Sequence, residues 1–140
     1  QRLSLKEGNR NITTELVEAF HQTILPAVAD TSKNYLFSTL WTAIDKEMNI
    51  MVADLCFKGE PNAEGEIEIG YGTYDAFQGQ GYMTEAIGAI IPWAFSQPGV
   101  KAIIAETAVE NIASHKTLIK NNFIGYKGSE EMLWWRLDKR

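Results

Sequence analysis

The chain has 140 residues, of which 45% are hydrophobic, and it carries a formal net charge of −5. That length and apolar content predict one domain, residues 1–140, with a core of its own. The acidic balance argues against nucleic acid as the main partner, because phosphate binding needs a basic surface. No apolar run approaches the ~18 residues of a membrane span, so we expect no membrane association.

Two histidines and one cysteine limit the chemistry further. His21, Cys56 and His115 show no metal-ligand spacing, so no metal site is expected. Cys56 cannot form an internal disulfide, which fits a reducing cytoplasm. It lies in an apolar, strand-like run, and we interpret it as a buried, unreactive thiol.

The first half of the chain predicts one helix and then three strands. The helix begins at a cap, Asn11 or Thr13, and runs to residue 29 with an apolar face of helical period. Pro26 is expected to end or kink it. Runs of β-branched and aromatic residues predict the strands. These strands are 37–44, 49–57 and 67–73, with a hairpin turn at 45–47 and a polar loop at 59–65.

The second half predicts two helices, each followed by strands. Apolar residues at helical spacing indicate a helix over 83–96, with a bend because Pro92 cannot bond the carbonyl of Gly88. The overall order α, β, β, β, α, β, α, β, β predicts an α/β domain with a mixed sheet. The remaining elements are a strand at 100–108, a helix at 111–121, and strands at 124–127 and 132–137.

A glycine-containing loop joins the third strand to the 83–96 helix. Its glycines permit dihedrals and a close approach that other residues resist. The helix N-terminus turns unpaired N–H groups and a positive dipole end toward a ligand. The loop therefore predicts a backbone site for a diphosphate. Its residues are Gln78, Gly79, Gln80, Gly81, Tyr82, Met83 and Thr84.

Three ligand classes use such a loop, and its spacing argues against two of them. A nucleoside triphosphatase loop would continue with Lys and then Ser or Thr, whereas Tyr82 and Met83 follow here. A dinucleotide fold would have a third glycine at position 84 and a βαβ unit opening the domain. Residue 84 is Thr, and the loop lies past the middle of the chain.

The loop resembles the Gln/Arg-x-x-Gly-x-Gly/Ala signature of the GCN5-related N-acetyltransferases (GNAT), with Gln78, Gly81 and Met83 at its positions. Met83 is a mild departure, since the donor contact there is through the backbone. Further segments are similar to the branch that acetylates ribosomal-protein N-termini. These are Glu68-Ile69-Gly70-Tyr71, Gly81 to Ala86, Ala105-Glu106-Thr107, Asn111-Ile112-Ala113-Ser114 and Lys120-Asn121-Asn122-Phe123, within residues 37 to 137.

The resemblance implies a single-domain GNAT fold. Its mixed, mostly antiparallel sheet is splayed between the 66–73 and 100–107 strands and flanked by helices. Asn122 stands where the family usually has Gly, and Asn tolerates the left-handed helix cap that follows. A strand precedes the first helix in the family. Only residues 3–6 could supply it here, so the presence of this first strand stays open. The oligomeric state also stays open, with a homodimer possible because pairing is common in the family.

The resemblance also implies acetyl-CoA as the co-substrate, with no metal. The loop would hold the diphosphate, and the pantetheine arm would lie along the third strand at Tyr71, Gly72 and Thr73. Period-two alternation puts Gly70 and Gly72 on one face of that strand. Taken alone, the two glycines indicate a bulge or a close-packed helix; next to the loop, they favour an extended ligand along the backbone. By resemblance, Asn111 bonds the arm; as a purely structural residue it would be a helix N-cap.

Acetyl transfer to an amine needs a polarised thioester, a stabilised thiolate and a neutral amine. By resemblance, Ser114 donates to the departing sulfur; as a purely structural residue it would lie on the surface of the first helical turn. We expect a backbone N–H of the 66–73 strand, near Tyr71, to polarise the carbonyl. Glu68 is our first choice of base and Glu106 the second. Each could instead be a solvated or ion-paired side chain.

The function that follows is transfer of an acetyl group to a primary amine within a ternary complex. The acceptor is a protein α-amino group or, close behind, a small-molecule amine. A CoA-binding sensor or interaction module without catalysis would share every cofactor residue, so that alternative stays open. A nucleotide-binding protein is the third possibility.

Overall fold

The computed structural model of the chain describes residues 5–6, 14–19, 21–22 and 25–140. This part forms a six-stranded sheet with two helices packed on one face. The strands are β1 Leu40–Asp45, β2 Ile50–Phe57, β3 Glu66–Thr73, β4 Ala102–Ala108, β5 Ile124–Gly128 and β6 Met132–Asp138. The helices are α1 Thr14–Ala19, α2 Leu25–Ala29, α3 Tyr82–Ser96 and α4 Ile112–Lys120, with 3-10 turns at Tyr35–Phe37 and Asp75–Phe77.

The strands are ordered β1-β2-β3-β4-β6-β5 across the sheet. Every neighbouring pair is antiparallel except β3 and β4, which are parallel. The connection between these two passes through α3, as a parallel pair requires a crossover rather than a hairpin. The predicted mixed, mostly antiparallel sheet flanked by helices is therefore confirmed.

The two parallel strands separate part-way along their length. Their register joins Glu66–Ile69 of β3 to Ala102–Ala105 of β4 and goes no further. β3 continues to Thr73 paired with β2, and β4 continues to Ala108 paired with β6. The gap between these C-terminal halves is called the strand cleft below. The splay predicted between these strands is confirmed.

Side-chain alternation gives β3 and β4 two different faces. On the helix face, Ile67 and Ile69 are buried beneath α3 and α4, whose Ile87 and Leu118 are fully buried with them. The opposite face carries Glu66, Glu68 and Glu106, and we call it the carboxylate face. The strand cleft therefore opens on one side toward the helices and on the other toward carboxylates.

One strand is shorter than predicted, for a local reason. The strand expected over 37–44 begins at Leu40, because Asn34 caps a 3-10 turn at Tyr35–Phe37. Its side chain accepts a 3.1 Å hydrogen bond from the Leu36 N–H. The Phe37 side chain consequently enters the core from a turn. α3 continues through Pro92 to Ser96 as a single helix.

α4 ends in the left-handed turn that the sequence predicted at Asn122. This residue has a φ of 68°. Its N–H donates to the Ile119 carbonyl, and the Phe123 N–H donates to the Leu118 carbonyl, both at 3.0 Å. These two bonds form a Schellman cap, which Asn supports almost as well as Gly. The turn directs Phe123 into the core.

Most N-terminal predictions concern residues outside the described part. Both candidate caps, Asn11 and Thr13, lie there, and so do the first two residues of the segment 3–6. Residues 14–19 and 25–29 are helical, with Pro26 in the first turn of α2. Among the residues described, no helix is both long and apolar enough to cross a bilayer.

Candidate functional site

The loop before α3 has left-handed backbone at both glycines. Gly79 has a φ of 75° and Gly81 a φ of 83°, values that side-chained residues rarely adopt. A Cβ at either position would meet no heavy atom within 4 Å. Open space therefore lies beside both glycines, and a ligand can approach the main chain there.

α3 begins without a side-chain cap. Gly81 is the N-cap residue and has no side chain with which to bond the first turn. The first N–H bonded back along the helix is that of Glu85, to the Gly81 carbonyl at 3.1 Å. The N–H groups of Tyr82, Met83 and Thr84 are thus presented at the helix end. These donors and the positive helix dipole suit a diphosphate, and we call residues 78–84 the cradle.

The side chains of the cradle hold its shape. Met83 is 6% exposed, so its side chain lies in the core while its N–H remains at the helix end. The amides of Gln78 and Gln80 each donate a long, 3.4 Å bond to a main-chain carbonyl nearby. The Tyr82 hydroxyl donates to Asp45 Oδ2 at 2.5 Å. That last bond ties the cradle to the β1–β2 hairpin.

The edge of β3 along the strand cleft carries main-chain groups that pair with no strand, although the Thr73 carbonyl accepts the long bond from the Gln78 amide. The main-chain N–H and C=O groups of even-numbered residues point toward β2. The bonds of the Glu68 carbonyl and of the Tyr74 N–H, just past the strand, show this direction. Alternation turns the N–H and C=O groups of Tyr71 and Thr73 toward the cleft, beyond the last β3–β4 pair. Gly72 bonds β2, and a Cβ there would meet nothing within 4 Å. An extended amide arm could therefore bond this edge as an added strand.

The start of α4 lies over the helix-face side of the cleft. Asn111 is its N-cap, and Asn111 Oδ1 accepts from the Ser114 N–H at 3.2 Å. No hydrogen bond to the described residues occupies Asn111 Nδ2, which leaves this donor for a ligand. Ser114 is 8% exposed, and its Oγ lies 2.5 Å from the Tyr71 hydroxyl. Burial raises the pKa of Tyr71, although its bond to Ser114 acts in the opposite direction.

The two candidate bases lie on the carboxylate face, across the sheet from Ser114. Glu106 is the first residue of β4 beyond the last parallel pair, and it is exposed. Its carboxylate forms no hydrogen bond or ion pair with any residue that the structure describes. Glu68 lies before the cleft opens, and its Oε1 is 2.7 Å from Lys58 Nζ. Only Glu106 is therefore both unengaged and next to the cleft.

Sequence reasoning missed the side chain of Tyr71 and the partner of Glu68. It assigned Tyr71 a main-chain role only, although period-two alternation already put that side chain on the face of Ile67 and Ile69. The Lys58–Glu68 pair depends on the β2–β3 register, for which the sequence offers no signal.

The remaining candidates take structural positions. His115 Nε2 donates to the Ala108 carbonyl at 3.0 Å, and its ring lies 5.4 Å from that of Trp135. Cys56 is half-buried beside Gly70, and burial raises the pKa of its thiol. In the described ranges, no group of three or more His, Cys, Asp or Glu side chains is arranged to hold a metal ion.

Comparison with known proteins identifies the family. The family model for the acetyltransferase (GNAT) domain matches residues 6–124. The chain belongs to the GNAT family. It is 36% identical over 95 residues to the uncharacterized N-acetyltransferase YjdG of Bacillus subtilis (strain 168). This match covers 67% of the chain and 56% of YjdG, so the chain spans little more than half of that relative.

Solved structures of other acetyltransferases share the fold. A GNAT-family acetyltransferase from Bacillus anthracis superposes with a TM-score of 0.64 and 20% identity, covering 72% of this chain and 66% of that one. RimL, a ribosomal L7/L12 alpha-N-protein acetyltransferase in complex with coenzyme A, has a TM-score of 0.59 and 20% identity, covering 65% of this chain and 57% of RimL. The GNAT fold predicted from the sequence is confirmed.

Proposed function

We propose that this chain is an acetyl-CoA-dependent N-acetyltransferase that transfers an acetyl group to a primary amine within a ternary complex. The observation that carries the proposal is the strand cleft, combined with the uncapped N-terminus of α3 at the end of the loop that follows β3. A ligand with a diphosphate at one end and an extended amide arm suits this combination, and coenzyme A has both. Membership of the GNAT family and the coenzyme A bound to RimL support the assignment.

The donor would be held mainly by main-chain groups. In this proposal the cradle N–H groups bind the diphosphate, and the cleft edge of β3 at Tyr71 and Thr73 pairs with the pantetheine arm. Asn111 Nδ2 donates to a carbonyl of that arm while Oδ1 continues to cap α4. The thioester then lies between the two faces of the sheet, close to where β3 and β4 separate.

Acetyl-CoA supplies an activated acetyl thioester with a thiol leaving group. The N–H of Tyr71, directed into the cleft, donates to the thioester oxygen and favours attack by the amine nitrogen. As the new C–N bond forms and the C–S bond breaks, Ser114 stabilises the departing sulfur. Glu106 takes the proton that the amine must lose, directly or through water. Holding the reactants together is itself worth about 7–11 kcal/mol in ideal cases.

We rank Glu106 above Glu68 as the base, which reverses the order expected from the sequence. The Lys58 ammonium lies 2.7 Å from Glu68 Oε1 and occupies that oxygen with a charge-assisted hydrogen bond. Glu106 has no such partner among the described residues. It also lies on the face opposite Ser114, so the amine and the leaving thiol would use opposite sides of the cleft.

A protein N-terminal α-amine is the acceptor that we propose. RimL, which shares the fold, is described as an alpha-N-protein acetyltransferase. Glu106 puts a negative charge without a described partner on the proposed acceptor side, which attracts an ammonium group, whereas Glu66 and Glu68 are ion-paired with Arg136 and Lys58. Small amines meet the same electrostatic requirement, so the test includes them.

The test combines calorimetry with release of free thiol. Titration with CoA should give heat for the wild-type chain, and acetyl-CoA should release thiol with at least one of a panel of peptides and polyamines. Gly81→Ala puts a Cβ into the space beside the cradle and should weaken CoA binding by about tenfold, or about 1.4 kcal/mol. Gly99→Ala is the matched control, since Gly99 has a φ of 82° and equally open surroundings in the turn between α3 and β4.

The outcomes separate the candidates. Absence of heat with CoA would refute the cofactor assignment and the function with it. Tight CoA binding without thiol release across the panel would favour a CoA-binding module without catalysis. Thiol release with polyamines alone would support the transferase activity but show that the acceptor is a small-molecule amine rather than a protein N-terminus.

A further inference from the structure

A hydrogen bond crosses the helix-face side of the strand cleft. It joins the hydroxyl of Tyr71 on β3 to Oγ of Ser114 in the first turn of α4, at 2.5 Å. The Ser114 N–H is bonded to Asn111, so both polar groups of Ser114 are engaged and its position is well determined. Nothing in the proposed reaction so far requires the Tyr71 hydroxyl.

The direction of this bond decides what Ser114 can do. A serine hydroxyl has one proton and two acceptor lone pairs. If Ser114 donates to Tyr71, it has no proton left for the cleft. If Tyr71 donates to Ser114, the serine proton is free to point elsewhere.

Acidity favours tyrosine as the donor. A phenol is a far stronger acid than an aliphatic alcohol and therefore the better hydrogen-bond donor, with an ordinary pKa of about 10. Burial raises the pKa of Tyr71, which keeps the phenol protonated at neutral pH. A hydroxyl that accepts one hydrogen bond also becomes a better donor of the next, since bonds in a chain polarise one another.

We propose that Tyr71 is a positioning residue for acetyl transfer: its hydroxyl donates to Ser114 Oγ and so directs the Ser114 proton to the leaving sulfur. The inference rests on the proposed function and adds a second hydroxyl to it. Ser114 touches the sulfur, and Tyr71 acts through Ser114. The main-chain N–H of Tyr71 keeps its separate role at the thioester oxygen.

A purely structural role for Tyr71 makes different predictions. Its ring packs against the core, and Tyr71→Phe keeps that ring while removing the hydroxyl alone. A structural hydroxyl would change stability and leave the reaction parameters alone. A positioning hydroxyl would lower kcat and leave the KM for acetyl-CoA nearly unchanged.

The first measurement is a double-mutant cycle of Tyr71→Phe, Ser114→Ala and both together. We expect Tyr71→Phe to lower kcat about tenfold, the loss of one oriented donor. The double variant should be no slower than Ser114→Ala, since Tyr71 has nothing to orient once the serine hydroxyl is gone. Tyr126→Phe removes an exposed hydroxyl from β5, two strands away from β4, and should leave kcat unchanged. Independent, multiplying effects of the two substitutions would overturn the proposal.

The second measurement needs no acceptor amine. The pKa of the thiol of bound CoA is followed by thiolate absorbance as the pH is raised. A donor at the sulfur should hold this pKa below that of free CoA measured in the same buffer, and both Tyr71→Phe and Ser114→Ala should raise it.

The two measurements distinguish the failure of each idea. If both substitutions change the thiol pKa but the chain shows no turnover, the hydrogen bonds from Tyr71 through Ser114 to the sulfur are supported and the transferase activity is refuted. If the chain turns over and Tyr71→Phe changes neither the thiol pKa nor kcat, the transferase activity is supported and the role of the Tyr71 hydroxyl is refuted. Absence of CoA binding would refute both.

Discussion

Replacing Glu106 by Gln tests the assignment of the base most directly. The substitution removes the proton acceptor with almost no change in shape. The side chain is exposed and has no partner among the described residues, so the free energy of unfolding should change by less than about 0.5 kcal/mol. Any loss of rate can then be assigned to the missing carboxylate.

The expected loss is about 100-fold in kcat/KM for the amine. General bases contribute roughly 10² to 10⁴, and the lower end applies here because Glu106 is open to water, which can replace it in part. A factor of 100 corresponds to about 2.7 kcal/mol of transition-state stabilisation. The loss should shrink with rising pH across roughly 7.7–8.0, where a free α-amino group loses its proton without help.

Glu68→Gln is the matched control. Its pair with Lys58 is exposed, with 34% and 52% of the two side chains accessible, so breaking it should cost only about 0–1 kcal/mol. We expect thiol release by this variant within about twofold of the wild type. A 100-fold loss in Glu68→Gln together with an active Glu106→Gln would reverse the assignment, and two fully active variants would show that no dedicated base exists.

Three further predictions concern the cap of α4, its last turn and the cradle. Asn111→Asp keeps an oxygen that can cap α4 but loses the amide donor, so stability should hold while CoA affinity falls about fivefold by calorimetry. Asn111→Ala should in addition lose about 1 kcal/mol of stability in urea unfolding. Asn122→Ala should cost about 1–2 kcal/mol because alanine resists a φ of 68°, whereas Asn122→Gly should be neutral in the same assay. The bond from Tyr82 lowers the pKa of Asp45, so its stabilisation is present above the ordinary carboxyl range and is lost as pH falls through the lowered value. Tyr82→Phe should flatten the acid limb of thermal stability against pH, and an unchanged limb would contradict this.

Much of the fold was predictable because it depends on local chemistry. Two glycines before an apolar helical period indicate an uncapped helix start, and Gly79 and Gly81 adopt the expected left-handed backbone. Asn122 likewise ends α4 in the expected turn. The predicted start of the first strand at Phe37 was wrong because Asn34 caps a 3-10 turn there. Side-chain alternation alone does not reveal this competing signal.

The candidate site was predictable only in part. Its main-chain elements follow from glycine spacing and strand alternation, which are properties of short segments. The choice between Glu68 and Glu106 could not be predicted from the sequence. It depends on where β3 and β4 stop pairing and on the Lys58 cation that lies next to Glu68.

The order of residues along this chain determined its helices, its strands and the anion-binding loop, because those features arise from neighbours within a few positions. Only the tertiary structure decided which side chains meet. Tyr71 and Ser114 are 43 positions apart, and their contact depends on how α4 docks over the separated strands. Such long-range partners are selected by packing and register, which no local pattern encodes.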